Sequence, residues 1–597
     1  MKKILLLFSI IMISFSAFSQ IYFGTNSAMY VKNQVLYVGT NINLAANSNL
    51  YLRNNSQLVQ GTAALSTNSG TGTLSVYQEG SSDNFDYNYW CSPVGTSSGV
   101  VGNQNFGITM LSRPTTSTAS TAAIALPNAA SDGTSNPLAI ASKWIYKLSN
   151  ANNYSQWAFV GSAVTIAPGE GFTMKGTSGT DLTNPEGSTV NNPGGIGAQR
   201  YDFRGRPNDG NITVAVSTNN STLTGNPYPS ALDLNAFLLD ATNNAATGIA
   251  YFWEQKKDVN SHFLTDYRAG YGSYSPISLV SNGLYVPATF NSYNSNGTLN
   301  SGGASSGLII QRRYSPIGQG FVIKGRANGN VTLKNSYRTF LKEAPGSSQF
   351  ERPSKTDTTS QKKEETPEEV SHFRLNIIIN NEFTRQLALA FTPEATDEVD
   401  FGIDALNTSP PVPNDINFSI DNKNYIIQGV NFDSSKEIPL AMKAAESTTF
   451  KFYIPEIINF DPSQNIFIYD AADQSYHNIK DGMYEVTVPA GVNNERFKLA
   501  FTNKTLGVND ETINTFLISF NSQSQTLTAH NPNNINLKTF VLYDIVGRAI
   551  LTKKNLGTNS TYNFSTSGLN SGIYIAQFLT ADNKRISQKV SISNSGK

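Results

Sequence analysis

Short apolar clusters separated by Asn- and Gly-bearing gaps run through this chain, and that spacing limits its folds more than any other feature. In residues 21–62 the clusters are Met29-Tyr30-Val31, Leu36-Tyr37-Val38, Ile42-Asn43-Leu44, Leu50-Tyr51-Leu52 and Leu58-Val59. They recur at a step of roughly seven or eight residues, so each cluster suits a very short strand and each gap a left-handed turn. An amphipathic helix would need apolar residues at i, i+3, i+4 and i+7, which this spacing does not supply. Stacked short strands, or a few coils of a β-solenoid, are expected here.

Composition extends the argument to the rest of the chain. Charged residues are 14% of the total, against about 25% in an ordinary globular domain. Asn, Ser, Thr and 46 Gly crowd nearly every segment, while long Ala-, Leu-, Glu- and Lys-rich stretches are missing. The expected class is all-β and multidomain: a strand stack or solenoid coils, then antiparallel β-sandwiches, the last of them Ig-like. At 597 residues the chain is too long for one core.

Export signals frame the organisation. Lys2 and Lys3, an apolar run from Ile4 to Ile13 and the small-x-small pattern Ala17-Phe18-Ser19 form a signal peptide over 1–19, cleaved between Ser19 and Gln20. Residues 20–62 are the strand stack. Residues 63–340 hold a degenerate duplication. Its copies share an aromatic-proline turn, Tyr87 to Pro93 and Gly225 to Pro229, and an aromatic strand, Lys143 to Tyr146 and Tyr251 to Glu254. They also share a Gly-led strand, Pro168 to Gly176 and Pro316 to Gly325; the glycines before Phe172 and Phe321 suit a tight turn. The best short helix is Ala231 to Leu239. Residues 341–371 form a charged, flexible linker, 372–506 an acidic sandwich and 507–597 a basic C-terminal domain. Residues 371–506 carry a net charge of −8 and residues 515–597 one of +6, so the neutral total hides two opposed domains. No segment is long and apolar enough for a transmembrane helix.

Three ordered motifs close the chain: Val541 to Arg548, a strand entering an Asp-x-x-Gly turn; Leu569 to Ile575, a Gly-led strand; and Lys589 to Ile592, the terminal strand. Together they resemble the C-terminal sorting domain of Bacteroidetes proteins exported by the type IX secretion system. Tyr543, Asp544, Gly547, Arg548, Gly572, Tyr574 and Lys589 carry the resemblance, with Gly547, Gly568 and Gly572 expected at turns and Lys584, Arg585 and Lys589 on a basic edge. The family's Tyr-Pro-Asn-Pro opening is absent. Residues 371–506 look like the β-sandwich that often precedes such a signal, and the aromatic-proline turns resemble repeats of secreted flavobacterial surface proteins. The resemblance implies the type IX machinery as partner, a surface glycan or lipopolysaccharide anchor, and a place on the cell surface or outside the cell. Asp357-Thr358-Thr359 resembles an O-glycan acceptor of these bacteria.

Catalytic chemistry finds little material. His262, His372, His477 and His530 are each more than fifty residues from the next, so no His-Glu-x-x-His pair exists. No Gly-x-Ser-x-Gly lies where a strand-to-helix elbow would place it. Cys91, the lone cysteine, reads as buried and inert. Asp83, Asp86, Glu170, Asp202 and Asp209 are the candidate acids for glycoside hydrolysis, although Glu170 is replaced by Gln319 in the second copy. Asp397, Glu398, Asp400 and Asp404 could hold structural Ca²⁺ but lack the spacing of a Ca²⁺ loop; pairing with Arg385 or a turn is the favoured role. Trp90, Trp144, Trp157 and Trp253, with Tyr87 and Tyr89, are expected as core, the other reading being a sugar-stacking platform. No basic patch with interleaved aromatics points to nucleic acid. The expected function is a non-enzymatic structural or adhesive surface protein without a cofactor. The alternative is a carbohydrate-binding or glycoside-active protein using the aromatic turns and acids of residues 63–340.

Overall fold

The computed structural model describes residues 20–61, 63–187, 199–344, 346–350, 369–504, 516–544, 548–581 and 585–593. Among them the one α-helix is Leu234–Leu238, capped by Asp233, whose carboxylate accepts from the backbone N–H of Asn235 and Ala236. The fold is all-β. The signal peptide expected over 1–19 lies outside the described residues; Gln20 is exposed. The chain divides into two compact units, 1–503 and 504–597.

The first unit begins as a solenoid. Ile21–Phe23, Ala28–Lys32 and Val35–Val38 run parallel to Ile42–Leu44, Asn49–Arg53 and Gln57–Gln60, with Ile21 opposite Ile42, Met29 opposite Leu50 and Leu36 opposite Leu58. Asparagines make the corners: Asn26, Asn33, Asn47 and Asn54 hold φ of 59°, 60°, 57° and 53°. Asparagine tolerates that region because its short amide can bond locally, and from one coil to the next Asn47 donates to the Asn26 side chain at 3.1 Å. Asn49–Arg53 also pairs parallel with Thr73–Gly80, which carries the coil into the next sheet.

The two repeat copies share one central antiparallel strand pair. Tyr87–Cys91 pairs antiparallel with Gly171–Lys175, placing Cys91 opposite Gly171 and Tyr87 opposite Lys175. Ser221–Gly225 pairs antiparallel with Gly320–Gly325, placing Gly225 opposite Gly320 and Ser221 opposite Lys324. The copies then meet. The backbone N–H of Cys91 donates to the Gly318 carbonyl at 2.9 Å, and Asn208 Nδ2 bridges the carbonyls of Ser92 and Pro227 in the two aromatic-proline turns. A Cβ on Gly320 would lie 2.7 Å from the backbone of Tyr89 and Trp90. Glycine before the phenylalanine therefore serves close approach between the copies, not the turn. The left-handed turn residues are Gly169 and Gly318, with φ of 82° and 77°.

Residues 371–500 build one eleven-stranded sheet whose described pairs are antiparallel except Phe383–Phe391 on Lys423–Val430. The sheet rolls over itself, bringing Phe452 to 5.4 Å from Phe497 and Phe373 to 6.4 Å from Phe501. It also packs on the repeat region. Arg385 Nη1 donates to Thr289 Oγ1 at 2.9 Å, Arg374 Nη1 to the Tyr285 carbonyl at 2.8 Å, and Ser275 Oγ to the Ile403 carbonyl at 2.7 Å. The charged stretch 341–371 thus joins elements of one compact unit. Its residues 351–368, with Asp357-Thr358-Thr359, lie outside the described residues.

The second unit is a sandwich of a three-stranded sheet, Leu517–Asn521, Thr526–His530 and Thr561–Ser565, and a four-stranded one. The latter orders Ala549–Gly557, Leu537–Asp544, Gly572–Thr580 and Arg585–Ile592. Phe540 stacks on Phe564 at 4.0 Å and meets Phe578 at 4.7 Å, closing the core between the sheets.

Candidate functional site

Period-two alternation decides where the aromatic residues go. In Tyr87–Cys91, Trp90 points into the core, 1% exposed, against Tyr201, Phe203 and Phe350. Tyr87 and Tyr89 take the opposite face. In Ala246–Gln255, Phe252 packs in the core with Phe321, while Tyr251 and Trp253 face the side of Tyr89. Tyr89 and Trp253 stack at 6.1 Å with 8° between their planes, Trp157 meets Tyr89 edge-on at 5.9 Å, and Tyr271 closes on Trp253 at 5.2 Å. The hydroxyls of Tyr89 and Tyr271 lie 2.8 Å apart.

These rings line a cleft of about 630 Å³ between the repeat copies, bounded also by Trp144, Tyr146, Tyr154, Tyr267 and the segment Thr408 to Pro410. Asn152, Asn153, Ser155 and Asn219 add polar groups. The buried Tyr251 Oη and Trp253 Nε1 have no hydrogen-bond partner among the described residues. No carboxylate lines the cleft among the described residues; its ionisable groups besides tyrosine are His262 and Lys324. The volume lies within the range of about 300–1,000 Å³ that buries a small organic ligand. Three of the four tryptophans expected as core are therefore cleft walls. The legible signal was the alternation itself, since Tyr-x-Tyr and Tyr-x-Trp put amphipathic rings on one strand face.

One end of the cleft is held from behind. Lys175 is buried with its amine 4.2 Å from the Trp144 ring centre and 4.9 Å from that of Tyr87. It donates to Tyr267 Oη and lies 3.2 Å from His262 Nδ1; Nε2 of His262 meets Asp132 Oδ1 at 2.8 Å. Burial lowers the Lys175 amine to about 7 against the pull of Asp86, Asp83 and Asp132. The stack of His262 on Trp144 at 5.3 Å completes this wall.

The candidate acids do not converge. Asp83 accepts the backbone N–H of Phe85 and Asp86 in a turn, and Glu170 pairs with Lys147 at 2.9 Å. Asp202 is sealed among Ser75, Ser120 and Arg53, and Asp209 pairs with the buried Arg338 at 3.1 Å. Burial pushes both carboxyls up. Asp86 and Glu254 line a separate cavity of about 190 Å³, and burial raises each to about 7. Burial also pushes the Cys91 thiol up, as expected of an inert residue.

The acidic cluster is a hydrogen-bonded turn. Asp404 accepts from the N–H of Asp400 and Gly429, Asp400 accepts from Thr396, and Asp397 pairs with Lys436; Glu398 is exposed. Arg385 pairs with Asp415 at 2.7 Å rather than with any of these acids. Of the other histidines, His372 Nδ1 meets the Val370 carbonyl and His477 stacks on Tyr484 at 3.6 Å. His530 is exposed at a strand end.

In the second unit Asp544 Oδ1 accepts the Arg548 N–H at 2.9 Å and Oδ2 meets Arg548 Nε at 3.1 Å; Tyr543 is half-buried. Gly547 and Lys584 lie outside the described residues. Gly572 opens a strand rather than forming a turn, since an extended backbone joins it to Ile573. Tyr574 Oη donates to the Asn570 carbonyl at 2.9 Å. Lys589 is exposed, opposite Ile575; Arg585 opens the same strand.

A family model described as "Domain of unknown function (DUF8693)" matches residues 10–501, and one described as "Secretion system C-terminal sorting domain" matches residues 513–593. No curated protein matches. Among solved structures, the central fibronectin-III array of RIM-binding protein aligns with probability 0.98, 11% identity and a TM-score of 0.12. That alignment covers 38% of this chain and 90% of the other. The sorting domain marks a type IX-sorted protein bound for the cell surface or the extracellular space. Among the described residues no helix is long and apolar enough to cross a membrane.

Proposed function

The chain belongs to the family described as "Domain of unknown function (DUF8693)", joined to a secretion sorting tail, and from that premise we propose that it is an exported carbohydrate-binding protein. The observation that carries this reading is the cleft walled by Tyr89, Trp157, Trp253 and Tyr271, which no carboxylate lines among the described residues. A pyranose presents a C–H face to an aromatic ring and hydroxyls around its rim. Tyr and Trp match both, because each has an apolar body and a polar tip. Tyr251 Oη and Trp253 Nε1 are buried behind the wall without a hydrogen-bond partner among the described residues, which costs about 1–3 kcal/mol each.

Hydrolysis is the weaker reading. Glycosidases place two carboxyl groups about the scissile bond. Here the raised acids Asp86 and Glu254 line the neighbouring cavity of about 190 Å³, below the roughly 300 Å³ of an ordinary ligand site. On this reading the protein holds a glycan without cleaving it, which suits an adhesive role at a surface. A glycan array with the mature chain tests this. Binding is expected for a defined set of glycans and is lost in Trp253→Ala with an unchanged melting profile. No binding to any glycan, or full binding by that variant, overturns the reading.

A further inference from the structure

The duplication places a lysine at the same point of each copy, four residues after the strand-opening glycine: Lys175 after Gly171 and Lys324 after Gly320. The two meet opposite fates. Lys175 is buried and saturated, its amine placed among Tyr267, His262 and three aromatic rings, with Asp132 behind the histidine. Lys324 stands half-buried in the cleft wall beside Val322. Among the described residues no carboxylate pairs with it and none lines the cleft. The charged side chain that acts on it is Lys423, of the same sign, and burial together with that neighbour lowers its amine from the ordinary lysine range. A half-buried cation without a counter-charge favours an incoming anion, and the surrounding low-dielectric aromatic wall strengthens the attraction.

We propose that the ligand of this cleft is an acidic glycan, one that presents a carboxylate or sulfate to Nζ of Lys324 while its rings lie on the aromatic wall. This rests on the carbohydrate reading and narrows it to a class. The amine then donates charge-assisted hydrogen bonds to the anion, and Lys423 adds to the local positive potential.

The test is titration calorimetry on the full mature chain with matched short oligosaccharides: neutral, uronate-containing and sulfated. One acidic member should bind about tenfold or more tightly than its neutral counterpart at low salt, with the advantage shrinking as salt rises. Which acid wins separates carboxylate from sulfate. Lys324→Gln should equalise acidic and neutral members without shifting the melting temperature, and Lys324→Arg should restore the preference. Neutral members binding as tightly as acidic ones, or a preference that survives Lys324→Gln, overturns the inference and leaves the carbohydrate reading standing. No binding by any member overturns both.

Discussion

Glu254 sits on the face of its strand turned away from the cleft. It alternates with Trp253, so as the ring faces the cleft the carboxyl turns the other way, accepting from Tyr285 Oη and the Ala288 N–H. Burial raises it from an ordinary 4.5 to about 7, with the Tyr285 hydroxyl and the Arg312 charge opposing. Because the folded value exceeds the unfolded one, its contribution is whole below pH 4.5 and is lost as pH rises to about 7. Glu254→Gln, neutral at every pH, should not show that loss. Denaturant unfolding of both proteins should therefore diverge in the variant's favour by up to about 3 kcal/mol between those limits. Parallel pH profiles would contradict the assignment. None of this was legible from the chain, since Glu254 carries no motif. The tryptophans were half legible: alternation separates Trp90 from Tyr89, but no local pattern says that an aromatic face will meet a gap rather than another sheet.

Among elements, the strands were readable and their partners were not. The solenoid spacing and the repeat pairs came from local signals, whereas the stacking of the copies at Gly320 depends on segments far apart in sequence. Thr561–Ser565 carries a weak local signal because Thr, Asn and Ser surround its two inward residues, Tyr562 and Phe564. The charged stretch 341–371 reads as a boundary by composition, yet the sheet after it packs on the repeat region through Arg385, Arg374 and Ser275. A composition shift reports solvation of a segment and says nothing of what its flanks touch. Limited proteolysis separates the two views. A cut within 351–368 should leave two fragments that co-elute in size exclusion and part only in denaturant. Fragments that separate in native buffer would mean that the packing between 246–306 and 372–503 does not hold them.

For the whole molecule, the opposed charges of −8 over 371–506 and +6 over 515–597 mark the place where a cargo ends and a sorting tail begins. The tail has its own core of Phe540, Phe564 and Phe578, so its loss should leave the first unit folded. Deletion of 513–597 should therefore give a folded protein that collects in the periplasm; undiminished release to the surface or medium would refute the sorting role. If the aromatic cleft is where a glycan sits, tryptophan quenching will register its arrival. Trp144, Trp157 and Trp253 line the cleft, whereas Trp90 is 1% exposed in the core. Acrylamide should quench the emission of the free protein, and saturation with an array-positive glycan should shield most of that quenchable fraction, an effect that Trp253→Phe and Trp157→Phe each reduce. A glycan that binds at saturation and leaves acrylamide quenching unchanged would place the ligand outside the cleft.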